Sequence, residues 1–147
     1  MSKISISIVI PVYNSEKILP NLIESIIFYL NKDFFGLKYE IILINDFSSD
    51  NSWNVIVELS TKLKNLKGLN LSENSGQHNA IMAGLNVASG EKIITMDDDF
   101  QHHPSNLIYF FDKLDECDAC YTYYKNRKHN FWKKARPISL LNPNFKL

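Results

Sequence analysis

Apolar residues recur along this chain in two alternating rhythms. Short runs rich in β-branched and aromatic residues read as strands: ISISIVIPVY (4–13), YEIILIN (39–45), LKGLNL (66–71), EKIITMDDD (91–99) and DACYTYY (118–124). The second of these holds a short, continuously apolar run, IILI (41–44), as in a strand buried on both faces. Between them, apolar positions fall at helical spacing. From Glu16 to about Asn31 they are Ile18, Leu19, Leu22, Ile23, Ile26, Ile27 and Leu30. SSDNSWNVIVELSTKLKN (48–65) offers Ser and Asp as caps, GQHNAIMAGLNVASG (76–90) ends on Gly, and PSNLIYFFDKLDEC (104–117) opens on Pro, so each reads as a helix. Strands alternating with helices at these lengths predict a three-layer α/β/α unit, a doubly wound and mostly parallel sheet with helices on both faces.

Composition narrows this picture without redirecting it. A length of 147 residues is one domain's worth, and 45% hydrophobic with 22% charged residues is ordinary globular composition. The expected division is an α/β domain over 1–124 and a basic, aromatic tail over 125–147, where KNRKHNFWKKAR follows the last strand. Sixteen basic and sixteen acidic residues cancel, so no global charge draws the chain to nucleic acid, and any electrostatic function is local. MSKISISIVIP is too short an apolar run for a signal peptide, and no segment approaches the roughly 20 apolar residues that span a bilayer. A cytoplasmic location is the expectation. Cys117 and Cys120 form a lone C-x-x-C at the entry of a strand, with no second pair for zinc, and read as structural thiols.

The chemistry gathers where strands end. In an open sheet of this type, ligands bind beyond the carboxyl ends of the strands. Here those ends read PVYNSE, NDFSSD, SENSGQH and DDDFQHH, which would bring Asp46, Asp97, Asp98 and Asp99 to one rim. A solvated loop explains the Ser and Asn residues but not three consecutive carboxylates, whose repulsion a bound cation would relieve. Hard cations such as Mg2+ and Mn2+ take oxygen ligands, often one or two carboxylates plus substrate phosphates. In an extended segment Asp97 and Asp99 share a face while Asp98 points elsewhere, a D-x-D with an extra acid in the middle. No P-loop and no dinucleotide-binding glycine pattern is present. A phosphate ligand would therefore rest on metal, side chains and the helix N-terminus near Gly76. His102 and His103 follow the acids and His78 stands near that helix start, each with an ordinary structural explanation beside a ligand-binding one.

The segments IVIPVYN, EIILINDFSSDNS, NSGQHNAIMAGLNVASG and IITMDDDFQHHP, in this order and spacing, resemble the nucleotide-sugar-binding half of a family-2 glycosyltransferase of Rossmann-like GT-A fold. The last two are most similar to enzymes that transfer a sugar to a polyprenyl phosphate, such as undecaprenyl-phosphate aminoarabinose transferase and dolichyl-phosphate mannose synthase. The resemblance implies that Pro11, Tyr13, Asn14 and Glu16 lie beside the nucleotide and that Asp46 hydrogen-bonds the base. It implies that Asp97 and Asp99 hold a divalent metal and through it the diphosphate, with Asp98, Gly76 and Gln77 in the same nucleotide-sugar site. Ala80 matches a small position where the third helix packs close to the ligand, and Gln101 and Pro104 match the segment after the acids. Arg127 fits a phosphate-binding loop after the fifth strand.

Four positions depart from the family pattern: Asn45 stands for Asp, Phe47 for Gly, Glu73 for Arg, and Tyr124 for a basic residue. The resulting expectation is a metal-dependent transferase in cell-envelope glycan or lipid-linked sugar synthesis. It would move sugar from a nucleotide diphosphate sugar to an acceptor, a lipid phosphate by resemblance. Asp97, Asp99 and Arg127 would be the catalytic group, neutralising the leaving diphosphate. A lipid phosphate is already ionised and needs no strong general base. The acceptor portion and any membrane contact are expected outside these 147 residues, at the inner face of the membrane. Self-association through an exposed sheet edge is also expected. Phe131 and Trp132 read as packing residues or as lipid contacts. The rival readings are a non-catalytic nucleotide-sugar-binding fragment and, behind it, a nucleotidyltransferase, for which PVYNSEK lacks the basic glycine-rich loop.

Overall fold

Four parallel strands form the sheet: β1 (Ile6–Val12), β2 (Tyr39–Asn45), β3 (Leu66–Asn70) and β4 (Lys92–Thr95). The computed structural model describes residues 4–100 and 103–113. The strand order is β3-β2-β1-β4, so the chain winds outward from β1 to β3 and then crosses back to the other side of β1. That reversal places a topological switch point between β1 and β4, where the loops leaving the two strands diverge. The register pairs Ile6 with Tyr39 and with Lys92, and Ile41 with Leu66. The doubly wound α/β expectation holds. The expected fifth strand and the 125–147 tail lie outside the described residues.

Side-chain alternation along β1 and β2 divides the core between the two faces. Ile6, Ile8, Ile10 and Val12 of β1, with Ile41 and Leu43 of β2, pack beneath α1 (Leu19–Asp33) and α2 (Ser52–Lys62). Leu19, Leu22, Ile23, Ile26 and Leu30 are the buried stripe of α1, at the spacing that the sequence shows. The same cluster takes in Leu107 of α4 (Leu107–Lys113), which follows a short 3-10 turn at Pro104–Asn106. On the opposite face Val9, Ile42 and Ile44 meet Ala80 of α3 (Gln77–Val87). Gly84 is the reason α3 lies so close: a Cβ there would stand 2.5 Å from Val9 Cγ1 and 2.7 Å from Ile44 Cδ1. Among the described residues no helix is long and apolar enough to cross a membrane.

Two elements differ from their sequence reading. α1 begins at Leu19 rather than Glu16, because residues 16–18 form a turn in which the Ser15 carbonyl accepts from the amides of both Ile18 and Leu19. β4 ends at Thr95 rather than Asp99. Beyond it the Met96 amide still donates to the Val9 carbonyl, after which the backbone bends away.

Period-two alternation also puts Glu40 and Asp46, at opposite ends of β2, on the face that carries α3. Six residues of strand span about 20 Å, and an eleven-residue helix about 16 Å. The two carboxylates therefore bracket the helix. Glu40 Oε1 accepts from the Ser89 amide just past the helix end and from Ser7 Oγ, both at 2.6 Å, while Oε2 lies 2.7 Å from Lys67 Nζ. Burial pushes the Glu40 carboxyl up, but Lys67, the Ser7 hydroxyl and the Ser89 amide outweigh it and hold the group below the ordinary glutamate range. A carboxyl depressed in the folded state adds stability above its unfolded pKa and loses it as pH falls through the folded value. Glu40→Gln should lower unfolding free energy by about 2 kcal/mol at neutral pH. The gap to wild type should close in acid, as urea midpoints measured at both pH values would reveal. An equal gap at both would refute the charge-dependent role.

Candidate active site

A cavity of about 460 Å³ opens at the carboxyl edge of the sheet, over the switch point, within the size range of small-ligand sites. Pro11 and Tyr13, where β1 runs out, line one side, and Asp46 lies at the end of β2. Asn74, Gly76 and Gln77 contribute the approach to α3. Asp97, Asp98 and Asp99 complete the wall from the bend after β4. All three acids face this one cavity. The expected split, with Asp98 turned away from its neighbours, is not found, because the segment bends where an extended strand would have alternated.

Each acid is engaged differently. Asp98 Oδ2 accepts from the Tyr13 amide at 3.2 Å and from Ser15 Oγ at 2.5 Å, tying the β4 loop to the β1 loop. Asp97 Oδ1 accepts from Gln77 Nε2 at 2.6 Å. Asp99 is exposed to solvent. Asp46 is buried, and its two oxygens accept from the backbone amides of Ser75 at 2.7 Å and Gly76 at 2.9 Å. Gly76 has φ 84°, a left-handed conformation that a glycine adopts without penalty.

Asn14 and Glu16, expected beside the nucleotide, do not line the cavity. They are engaged by the loop between β2 and α2. Asn14 Oδ1 accepts from the Ser49 amide at 2.8 Å, and the Asn14 amide donates to Ser48 Oγ at 3.0 Å. Glu16 Oε2 accepts from the Asn51 amide at 2.9 Å, while the Glu16 amide donates to Asp50 Oδ2 at 3.0 Å. Asp50 Oδ1 accepts from the Ser52 amide, so Asp50 and Glu16 together satisfy donors at the start of α2. Burial pushes the Asp50 carboxyl up, and the Ser52 hydroxyl with the Glu16 and Ser52 amides more than offsets it, holding the group below the ordinary aspartate range. The buried Asn45 donates to Asn70 Oδ1 at 2.7 Å. Phe47 adopts φ 57°, which costs a bulky residue about 1 kcal/mol.

Ser15 and Asn74 had no assigned role in the sequence reading, although PVYNSE and SENSGQH contain them. Arg127, Gln101 and His102 lie outside the described residues. His103 is turned to its own helix start, where Nδ1 accepts from the Ser105 amide at 3.3 Å. Among the described residues, no group of three or more His, Cys, Asp or Glu side chains is placed to hold a metal ion by itself.

Residues 7–146 match the model of the family described as Glycosyl transferase family 2. The chain belongs to glycosyl transferase family 2. Among solved structures, S. aureus TarS 1-349 is similar at 30% sequence identity, with 76% of this chain and 32% of that chain covered and a TM-score of 0.60. Its complex with UDP-GlcNAc matches at 29% identity over 76% of this chain and 31% of that one, with a TM-score of 0.59. The mannosyltransferase PcManGT from Pyrobaculum calidifontis, in complex with GDP-Man and Mn2+, shares the fold at 19% identity over 67% of this chain and 28% of that chain, with a TM-score of 0.58. This family-2 chain thus spans about a third of the length of the TarS 1-349 chains it matches.

Proposed function

We propose that this chain forms the donor-binding part of a glycosyltransferase that passes sugar from a nucleotide diphosphate sugar to a polyprenyl phosphate at the inner face of a membrane. The observation that carries the reading is the cavity itself, lined by Tyr13 at the end of β1 and by three carboxylates after β4, over a switch point. Tyr13, half-exposed, offers a flat apolar surface suited to a nucleobase. UDP and UDP-GlcNAc are bound in the TarS complexes, which makes a uridine diphosphate sugar the first donor to test.

The donor set fits a hard divalent cation. Among the described residues Asp97, Asp98 and Asp99 bring carboxylate oxygens to the cavity, the donor type that Mg2+ or Mn2+ takes, with phosphate oxygens to complete the shell. Asp97 and Asp99 would hold it. When bound, such a metal supplies positive charge to the departing diphosphate. Asp98 fixes the β4 loop against Tyr13, so the base wall and the acid wall keep their separation. Arg127 is proposed as a second cation at the leaving group. An ionised lipid phosphate attacks without giving up a proton, so no general base is needed from these residues.

Calorimetry with UDP and GDP, each with and without Mn2+, tests the reading. Diphosphate binding that strengthens with metal is the expected result, and absence of binding to either nucleotide would overturn it. For the whole protein, transfer of labelled sugar to polyprenyl phosphate in preference to a free sugar tests the acceptor. A second reading, a donor-binding unit that does not turn over sugar, is favoured by Asn45, whose buried, uncharged amide is committed to Asn70 where the family pattern has an acid.

A further inference from the structure

We infer that Asp46 is a positioning residue for the acid cluster: it anchors the entry of α3, and Gln77, the first residue of that helix, in turn holds Asp97. The inference rests on the donor-binding reading and gives Asp46 a role other than the base contact that the resemblance implies. Three distances carry it. Asp46 accepts from the Ser75 amide at 2.7 Å and the Gly76 amide at 2.9 Å, and Gln77 Nε2 donates to Asp97 Oδ1 at 2.6 Å.

Asp46 is 4% exposed and has one backbone donor on each oxygen. Buried, with both oxygens paired, it is already satisfied. Two consecutive amides converging on one carboxylate form a small anion-binding concavity, and the N-terminal end of α3 adds a favourable dipole. This arrangement depends on the left-handed turn at Gly76. The residue that follows, Gln77, is exposed and hydrogen-bonds across the cavity. With Asp97 Oδ1 held by that amide, Oδ2 is the oxygen left to meet a ligand. Groups that orient a metal-binding carboxylate in this way ordinarily matter nearly as much as the carboxylate.

The test uses the full 147-residue chain, Gln77→Ala, Asp46→Asn and the double variant, titrated with UDP or GDP and with the matching nucleoside, with and without Mn2+. Asp46→Asn keeps the shape of the side chain but replaces one acceptor with a donor. Each single change should weaken Mn2+-dependent diphosphate binding on the order of tenfold and leave nucleoside binding unchanged. Because both act through one chain of contacts, the double variant should bind no more weakly than Asp46→Asn alone. Additive losses, or an Asp46→Asn loss equally large for the nucleoside, would overturn the inference and return Asp46 to the base. Should Asp46→Asn fail to fold, Gln77→Ala decides alone, since it changes an exposed side chain. Undiminished Mn2+ dependence in that variant overturns the inference. A wild-type chain that binds neither diphosphate overturns the donor-binding reading and this inference together, which separates the two failures.

Discussion

Gly90→Ala is expected to lower the unfolding free energy by about 3 kcal/mol. A Cβ at Gly90 would stand 2.5 Å from the Ser7 nitrogen, 2.7 Å from the Ile6 carbonyl carbon and 2.7 Å from Ser7 Oγ. Two of these atoms are backbone of β1, which is paired on both sides by β2 and β4 and has no room to retreat. The Gly90 amide also donates to Ser7 Oγ at 2.8 Å, and that hydroxyl donates to Glu40. Relieving the clash by shifting the α3–β4 connection would therefore break the anchor under the far end of α3. Urea unfolding measures the effect directly. A change below about 0.5 kcal/mol, the scale of an ordinary surface substitution, would mean that the connection moves freely and that Glu40 does not hold it.

Asp99→Ala should abolish the strengthening of UDP binding by Mn2+, with a loss at least as large as the roughly 10- to 100-fold that follows removal of a mere supporting partner of a metal ligand. Asp98→Ala should keep most of that strengthening. Its carboxylate is committed to the Tyr13 amide and to Ser15, so its removal loosens the β1 loop without subtracting a ligand. Calorimetric titration of the two variants side by side separates these outcomes. Equal loss in both would mean that the three acids act only as a pool of negative charge, with no division of labour among them.

The elements of the fold were legible wherever the signal was local. YEIILIN became β2 over the same residues, its short apolar run IILI (41–44) being covered on both faces of the sheet. The buried stripe of α1 was readable from its period, while its first turn was not, since that depended on the Ser15 carbonyl accepting two amides. Which residues gather at the strand ends was legible as a set, but their individual contacts were not. Tyr13, Asp46, Gly76, Gln77 and the three acids do meet at one cavity, as convergent strand ends require. What each side chain bonds to was hidden, because the partners lie far along the chain. Asn14 reaches Ser49 across 35 residues, and Asp46 reaches Gly76 across 30. A polar loop residue looks the same in sequence whether it meets a ligand or another loop.

The hydrogen bonds exchanged between residues 14–16 and 48–52 bear on the thermodynamics of association. Each loop uses side chains and amides of the other, so the backbone next to Tyr13 is assembled by folding and does not wait for a guest. A molecule docking against Tyr13 meets a surface whose backbone has already given up its conformational freedom. The ordering entropy that weakens recognition by mobile loops is absent for this backbone. The costs that remain there are desolvation and the ordering of the half-exposed Tyr13 side chain.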